Sequence, residues 1–474
     1  MFREFVSQQL LAERSPHTRV YSGVEIALRL AVLGFIPQAV EIINIASKCG
    51  DLELRYLYTN GLYFAFEAAN LWPIIVPEEH RTPKYLEKLD EDDSIKWGTL
   101  LGNYDDSVHE PLPPDESGLA RLLKFVHGDG ERFTYPFRDD QYILLHQYDA
   151  RCVAADLALR LGTHEEEARR LISAQDMNDE EKTVHCKRIA KSRLVWRVLK
   201  DEGGFNSGEN KNETLLEFER LRDIFRQNRD GGTQRPFKDK TMLELIQILD
   251  RNTVSHDLDE DADDAELSDL REHNPSLLGN RTIMHQPATD SDIAKIEEKF
   301  KFKIPEDYKE FLKITNGLEG IWNGYFHMRH LEGVDEISQG DDVLKGDSAL
   351  PCELITWEEL PFQVKWPSLD LERALNLNKD FDSGNTWLVE PKLIKEAVQN
   401  FFDAFDEANL DDKAKATVER TVSSYFGGIQ EMKDMEWGIL TWSHWGITIT
   451  AWKSFRDFLE TLAVESEKSP KAEA

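Results

Sequence analysis

The stretch KFKIPEDYKEFLKITNGLEG, Lys301–Gly320, decides how the second half of the chain is read. Pro305 suits the first turn of a helix, because its φ is preset and its missing amide has no partner there anyway. Glu306 and Asp307 follow, where the positive end of a helix dipole favours acids. Tyr308, Phe311 and Leu312 recur at i, i+3 and i+4, which predicts one buried stripe. Asn316 and Gly317 then close the helix, since those residue types tolerate left-handed backbone. Just upstream, ATDSDIAKIEEKF (288–300) predicts a preceding helix. Thr289 reads as its N-cap with Asp292 three residues on, an acidic form of the capping box, and Ile293, Ile296 and Phe300 form its apolar stripe. All of these choices are explained by helix mechanics, and none requires chemistry.

Working outward, a compact domain is expected over 286–464, followed by a polar tail at 465–474. Before it lies SHDLDEDADDAELSDLREHNPSLLGNRT (255–282), whose acid density and sparse apolar content predict a flexible linker. A first break is expected at DEGGFNSGENKN (201–212), so that 201–285 forms a helical connector plus linker. Residues 1–200 read as a separate α-helical domain. GVEIALRLAVLGF and PQAVEIINIASKCG have helical stripes punctuated by Gly34, Pro37 and Gly50, and Gly162 divides a later helical pair. Such pairs occur in helical repeats, although no fixed period runs through the segment. Residues 72–118, rich in proline and acids, read as a loop-rich insertion.

The block I-P-E-D-Y-K-E-F-L followed by T-N-G, preceded by a helix with Glu297 inside it, resembles the opening of the SUKH superfamily. That group contains the fungal cell-wall-assembly and killer-toxin-resistance regulators. The family residues carried over are Glu297, Pro305, Tyr308, Phe311, Leu312, Asn316 and Gly317. HMRHLEGVDEISQG, TWEELPFQVKW, LNLNKDFDSGNTWLVEP and WGILTWSHWGITITAWKSFRDFLETLA look like the later strands and closing helix, so the resemblance covers about 286–464. It implies an α+β fold, a mostly antiparallel sheet with flanking helices, here preceded by the α-helical N-terminal domain. It also implies protein binding: bacterial relatives are largely toxin-neutralising immunity proteins, and the named fungal ones regulate glucan synthesis and cell-integrity signalling. The long helical N-terminal half departs from the fungal pattern.

The totals limit the partner. With 474 residues, 89 acids against 57 bases and a formal charge of -32, the chain repels phosphate backbones and anionic lipid surfaces. Nucleic acid is therefore disfavoured, and a basic protein partner is electrostatically easier. No run reaches the roughly eighteen apolar residues of a membrane span, and the N-terminus does not read as a secretory signal. Four scattered cysteines, Cys49, Cys152, Cys186 and Cys352, fit a reducing compartment, so a cytoplasmic or nuclear location is expected.

Motif screening predicts no enzyme, no metal and no cofactor. The acidic run from Asp257 to Asp264 has Ala262 and Ser268 where a calcium loop needs Gly and Glu. Asp380, Asp382 and Gly384 read as a turn between strands. His327 and His330 lack a third ligand. Walker, nucleophile-elbow and dinucleotide patterns are missing from the sequence.

Two stretches stand as candidate partner sites. VHCKRIAKSRLVWRVLK (184–200) holds six Lys/Arg and no acid. Lys187, Arg188, Lys191 and Arg193 with Trp196 would make a basic amphipathic helix, or else Trp196 packs into the core while the bases meet acidic neighbours. Trp437, Trp442, Trp445 and Trp452 are either sheet-surface anchors or core. The expected function is a non-catalytic adaptor or regulator. The alternatives are an immunity-type protein, an acidic decoy for a basic toxin surface, and an enzyme whose site is assembled from distant residues.

Overall fold

The computed structural model describes residues 2, 5–91, 114–127, 140–173, 177, 179–204, 211–257, 281–322, 327–328, 330–339, 350–369, 374–378, 384–443 and 446–467. The expected linker beyond Asp257, the turn acids Asp380 and Asp382, the side chain of His327, Trp445 and the tail from 468 lie outside them. The chain divides into two compact units, Met1–Glu4 with His17–Asp230, and Phe5–Pro16 with Gly231–Ala474. In sequence, the first unit is thus inserted between a short N-terminal segment of the second unit and its remainder.

Helix α1 (Ser7–Ala12) belongs to the second unit. The first unit is helical throughout its described residues: α2 (Pro16–Val32), α3 (Ile36–Ala46), α4 (Leu54–Thr59), α5 (Leu62–Ala69), α6 (Pro83–Glu91), α7 (Glu116–Val126), α8 (Asp140–Leu161), α9 (Glu165–Ile172), α10 (Asp179–Ile189), α11 (Arg193–Glu202) and α12 (Lys211–Gly231). Helix α8 packs among α7, α9, α10 and α11. Helix α6 and the first three residues of α7 fall in the stretch 72–118 read as a loop-rich insertion, of which 92–113 lie outside the described residues.

The break expected at 201–212 is corrected. Gly203 ends α11 with φ 73°, and the Gly204 amide donates to Leu199 O at 2.7 Å. A Cβ on Gly204 would lie 2.5 Å from the Leu33 carbonyl, so this glycine pair is pressed against the end of α2. At Gly203 and Gly204 the glycines serve close backbone approach inside a unit that continues to Asp230, while 205–210 lie outside the described residues.

The second unit is α+β. Helix α13 (Met242–Asp257) leads to α14 (Asp290–Phe300) and α15 (Glu306–Ile314), then a two-stranded ribbon of β1 (Ile321–Trp322) and β2 (His327–Met328). An antiparallel five-stranded sheet follows in the order β3 (Ser338–Gln339), β4 (Ala374–Asn376), β5 (Asn385–Val389), β6 (Gly438–Ser443), β7 (Gly446–Trp452). Helices α16 (Pro391–Glu407), α17 (Asp412–Phe426) and α18 (Ile429–Lys433) connect β5 to β6, and α19 (Phe455–Glu465) closes the unit.

Alternation along the strands builds two cores. Leu375, Leu388, Ile439 and Trp452 face the layer of α13, α14, α15 and α19. Ala374, Trp387, Val389, Leu440 and Ala451 face α16, α17 and α18. Strand β5 is buried at all five positions because helices cover both faces of the sheet. TWEELPFQVKW, expected as a strand, is instead a 3₁₀ turn (Trp357–Glu359) within an irregular loop.

The opening block forms as its sequence predicts, with two differences. Thr289 and Asp292 make a reciprocal capping box at the start of α14. Tyr308, Phe311 and Leu312 are all buried, and Tyr308 and Phe311 meet Phe455 of α19 at ring centroids of 4.7 and 4.9 Å. Pro305 stands at the N-cap with ψ 151°, one residue before its expected place. Asn316 does not close the helix: Thr315 does, in an extended conformation, while Asn316 Oδ1 accepts the Val334 amide at 2.8 Å. Gly317 is left-handed, with φ 100°, and a Cβ there would lie 2.5 Å from Leu331 O.

The expected start of the domain at 286 is also corrected. Helix α13 buries Met242, Leu245, Ile246 and Leu249 in the same core as α15 and α19. Its Asp250 Oδ1 accepts the Ile283 amide at 2.8 Å and the Thr282 hydroxyl at 2.9 Å. The N-terminal segment docks too. Leu10 is buried, Gln9 Nε2 donates to Glu465 O and Glu467 O at 2.9 and 3.2 Å, and Gln234 N donates to Leu11 O at 2.8 Å. The polar tail begins later than expected, for Glu465 ends α19 and Ser466 is buried.

Candidate partner-binding surface

Among the described residues, the most exposed aromatic in the second unit is Trp357, with 71% of its surface open. An indole left in water forgoes roughly 1.5–3 kcal/mol of burial, so its presentation has to be explained by what holds it out. The loop 350–369 is closed at its base by two backbone hydrogen bonds, Cys352 N to Pro367 O and Leu369 N to Leu350 O, both 2.7 Å. Cys352, Leu354 and Ile355 sink into the α16–α17 core. Phe362 and Trp366 lie half-buried on α16, where Phe362 meets Phe401 at 5.7 Å and Trp366 stacks on it at 6.3 Å.

Between these anchors the chain turns outward. Glu353 is buried, and its Oε1 accepts the Trp357 amide at 2.8 Å, which fixes the start of the 3₁₀ turn. Burial raises the Glu353 carboxyl above its ordinary value, and the Trp357 amide opposes that shift. Glu358 is exposed beside the indole, and Glu359, half-buried, accepts from the Ser15 hydroxyl of the N-terminal segment. The arrangement is a projecting aromatic with acidic neighbours on a loop whose flanks are packed.

The basic stretch 184–200 lies on two helices, α10 and α11, separated at Ser192, whose hydroxyl caps Val195 N at 3.2 Å and donates to Asp156. Trp196 is buried and its Nε1 donates to Ala190 O at 2.7 Å. Lys187 pairs with Glu25 at 2.5 Å, and Arg193 forks onto both Glu67 oxygens. Arg188 and Lys191 are half-buried. Of the two arrangements expected for this stretch, the residues follow the second: Trp196 packs into the core, and Lys187 and Arg193 meet acids of neighbouring helices.

The C-terminal tryptophans do not form one exposed array. Trp452 is buried, with Nε1 donating to Thr461 Oγ1 at 3.0 Å. Trp437 is half-buried against Phe302 at 5.4 Å, and Trp442 packs half-buried on the α16–α17 core. Trp437 and Trp452 join the core of α13, α14, α15 and α19, and Trp442 that of α16 and α17, so Trp442 and Trp452 lie on opposite faces of the sheet.

Glu297 has a specific mechanical role. It pairs with Lys303 at 2.8 Å and Lys309 at 3.0 Å, and accepts the Ile304 amide at 3.2 Å. One carboxylate thereby spans the left-handed turn at Lys301 and joins α14 to α15. The hydrogen bonds to Lys303 and Lys309 outweigh burial, so its pKa lies below the ordinary value although burial is the largest single influence.

One nucleophile–base pair escaped sequence reading, because its members are 33 residues apart. Cys152 Sγ lies 3.7 Å from His185 Nδ1, and His185 Nε2 lies 3.1 Å from Ile172 O. Both residues are sealed in the first unit's core, at 1% and 0% exposure, so substrate has no access. Burial, then the Arg151 charge, lowers the imidazole to about 3, which keeps it neutral. Among the described residues, all four cysteines are free and buried, and no group of three His, Cys, Asp or Glu could hold a metal ion. Likewise, no helix among them is long and apolar enough to cross a membrane.

Comparison with curated proteins and with solved structures returns no match. Residues 287–404 match the sequence profile of the SMI1 / KNR4 family (SUKH-1). The matched stretch starts at the α14 capping box and ends inside α16, so β6, β7 and α19, which complete the sheet, lie beyond it. The second unit is thus built around an SMI1 / KNR4 (SUKH-1) family domain at residues 287–404.

Proposed function

We propose that the protein is a non-catalytic adaptor or regulator whose SUKH-type unit docks a basic protein segment on the loop 350–369. The observation that carries this reading is Trp357, 71% exposed on a turn that buried Glu353 and the packed flanks hold in place. A fixed aromatic loses little entropy on binding, and Trp with a surrounding ring of polar residues is the usual composition of an energetic centre at protein interfaces. Glu358 and Glu359 beside it, on a chain of formal charge -32, favour Lys or Arg in the partner, over whose cation the indole face could stack.

In this reading the helical unit engages a second partner or positions the first. The protein works in the cytoplasm or nucleus, and the family's fungal members point to cell-wall assembly or cell-integrity signalling as the pathway. The same acidity supports a second reading, an immunity-type protein that occupies a basic toxin surface.

The test is affinity capture of the full chain in parallel with Trp357→Ala and Glu358→Lys. The alanine variant is expected to lose at least about 2 kcal/mol of partner affinity, and the charge reversal to slow association, both with an unchanged melting temperature. An identical partner list and affinity for all three chains would refute the assignment of the loop.

A further inference from the structure

The same unit holds a second feature. Residues 12–14, 233–237 and 423–427 together with α19 enclose a cleft of about 70 Å³. That is several times the roughly 10–15 Å³ one water requires, and it suits a molecule of a few non-hydrogen atoms. Its charged lining is Arg14, Arg235, Lys453, Asp457 and Glu460, with Phe237 among the apolar walls.

Part of this lining is internally matched. Arg235 Nε and Nη2 both reach Glu460 Oε2, at 2.9 and 2.6 Å, and Glu460 Oε1 lies 3.0 Å from Arg456 Nε. Asp457 Oδ1 lies 3.8 Å from Arg235 Nη2, and the charges of Asp457, Glu13 and Glu465 all act on Arg14. Arg14 is held firmly: its guanidinium lies 5.1 Å from the Tyr425 ring centroid and 5.5 Å from that of Trp452, and its Nη2 donates to Tyr425 O. Lys453 Nζ donates to Phe426 O at 2.8 Å.

Three atoms of the lining are left over. Arg14 Nη1, Asp457 Oδ2 and Glu460 Oε1 are buried without a hydrogen-bond partner. Asp457 is the foremost charge supporting the Arg14 guanidinium against burial. Burial lowers Lys453, the Asp457 and Glu431 charges oppose that shift, and those of Arg235 and Arg14 add to it. Buried polar groups in folded proteins are nearly always satisfied, and an unpaired donor and unpaired acceptors lining one cleft suit a ligand offering both partners.

We propose that this cleft binds a small carboxylate bearing a hydrogen-bond donor on the adjacent carbon, either an α-amino acid or an α-hydroxy acid. The carboxylate accepts from Arg14 Nη1, with Lys453 in the same cleft. The neighbouring ammonium or hydroxyl donates to Asp457 Oδ2. The ligand would thereby tie the N-terminal segment to α19, coupling the closure of this unit to a metabolite.

The test uses the full chain and four matched probes, L-alanine, L-lactate, propionate and ethylamine, in calorimetric titrations. Alanine or lactate is expected to bind at least about tenfold more tightly than propionate, which lacks the donor, and ethylamine not to bind. Preference for alanine assigns the amino-acid source and preference for lactate the hydroxy-acid source; both support the site. Asp457→Asn keeps the side-chain shape and an acceptor oxygen, so it should weaken alanine about tenfold and leave lactate within about threefold. Arg14→Lys, which keeps the charge that stabilises the segment but loses the fork, should weaken both ligands. Equal binding of propionate and the two donor-bearing acids, or no binding of any probe to the parent chain, would overturn the proposal.

Discussion

At the scale of single residues, the second unit depends on a few side chains with more than one task. Asp307 both accepts its neighbour's amide, Tyr308 N at 2.9 Å, and caps α19 by accepting Arg456 N at 2.9 Å. Phe311, buried against Phe455, carries the contact between those helices, and Phe311→Ala should cost about 3–5 kcal/mol, read by denaturant unfolding. Gly317→Ala is strained twice, by φ and by Leu331 O, and should destabilise more than an ordinary glycine replacement. Two buried ionisable groups give opposite pH signatures. Burial, then the Glu13 charge, raises the Glu465 carboxyl to about 7 against the pull of Arg14. Folding therefore favours its protonated form, a contribution complete below the unfolded value of 4.5 and lost as pH rises through about 7. Glu465→Gln should match the parent in melting temperature at about pH 4 and exceed it above neutrality. His185 is depressed to about 3, so it contributes nothing above its unfolded value of 6.5 and destabilises progressively as pH falls below it. Removing it with His185→Gln should flatten the acid limb of the stability profile, by up to about 1.4 kcal/mol per pH unit. A parallel acid limb in parent and variant would contradict the assignment.

Elements differ in how far the sequence discloses them. Helices α14 and α15 are legible because caps, dipole acids and stripe all point one way, and Thr289, Asp292, Tyr308 and Phe311 stand where that logic puts them. The short strands are less so. Strands β1 to β3 are two residues long, too short for alternation to register. The loop around Trp357 carries the apolar pattern of a strand, yet Pro361 and the inward pull of Phe362 and Trp366 leave it irregular. Nothing local in TWEELPFQVKW distinguishes an exposed tryptophan from a buried one. Docking of α1 onto α19 is invisible for another reason, since it joins residues more than 450 positions apart through backbone carbonyls that any sequence provides. Phe5, Val6 and Leu10 are buried, each worth about 1.5–3 kcal/mol. Deleting residues 1–16 should therefore lower the melting temperature of the second unit, and a fragment starting at 286, which also lacks α13, should be less stable still. A fragment 286–464 that unfolds as cooperatively as the full chain would show that these elements are dispensable.

At the scale of the whole molecule, the chain places one helical unit inside the sequence of a SUKH-type unit, whose N-terminal segment and remainder lie on either side of it. Composition makes a basic protein partner easier than nucleic acid, an argument that depends on the summed charge and on no particular contact. The candidate site was legible only in part. Family-motif residues turned out to build the scaffold, while the tryptophan now assigned to binding was not singled out. Hydrogen exchange of the full chain, alone and with a captured partner, tests the central claim most directly. Slowed exchange concentrated in residues 350–369 around Trp357 is the predicted result. Unchanged exchange there, with protection appearing only in residues 17–230, would contradict it.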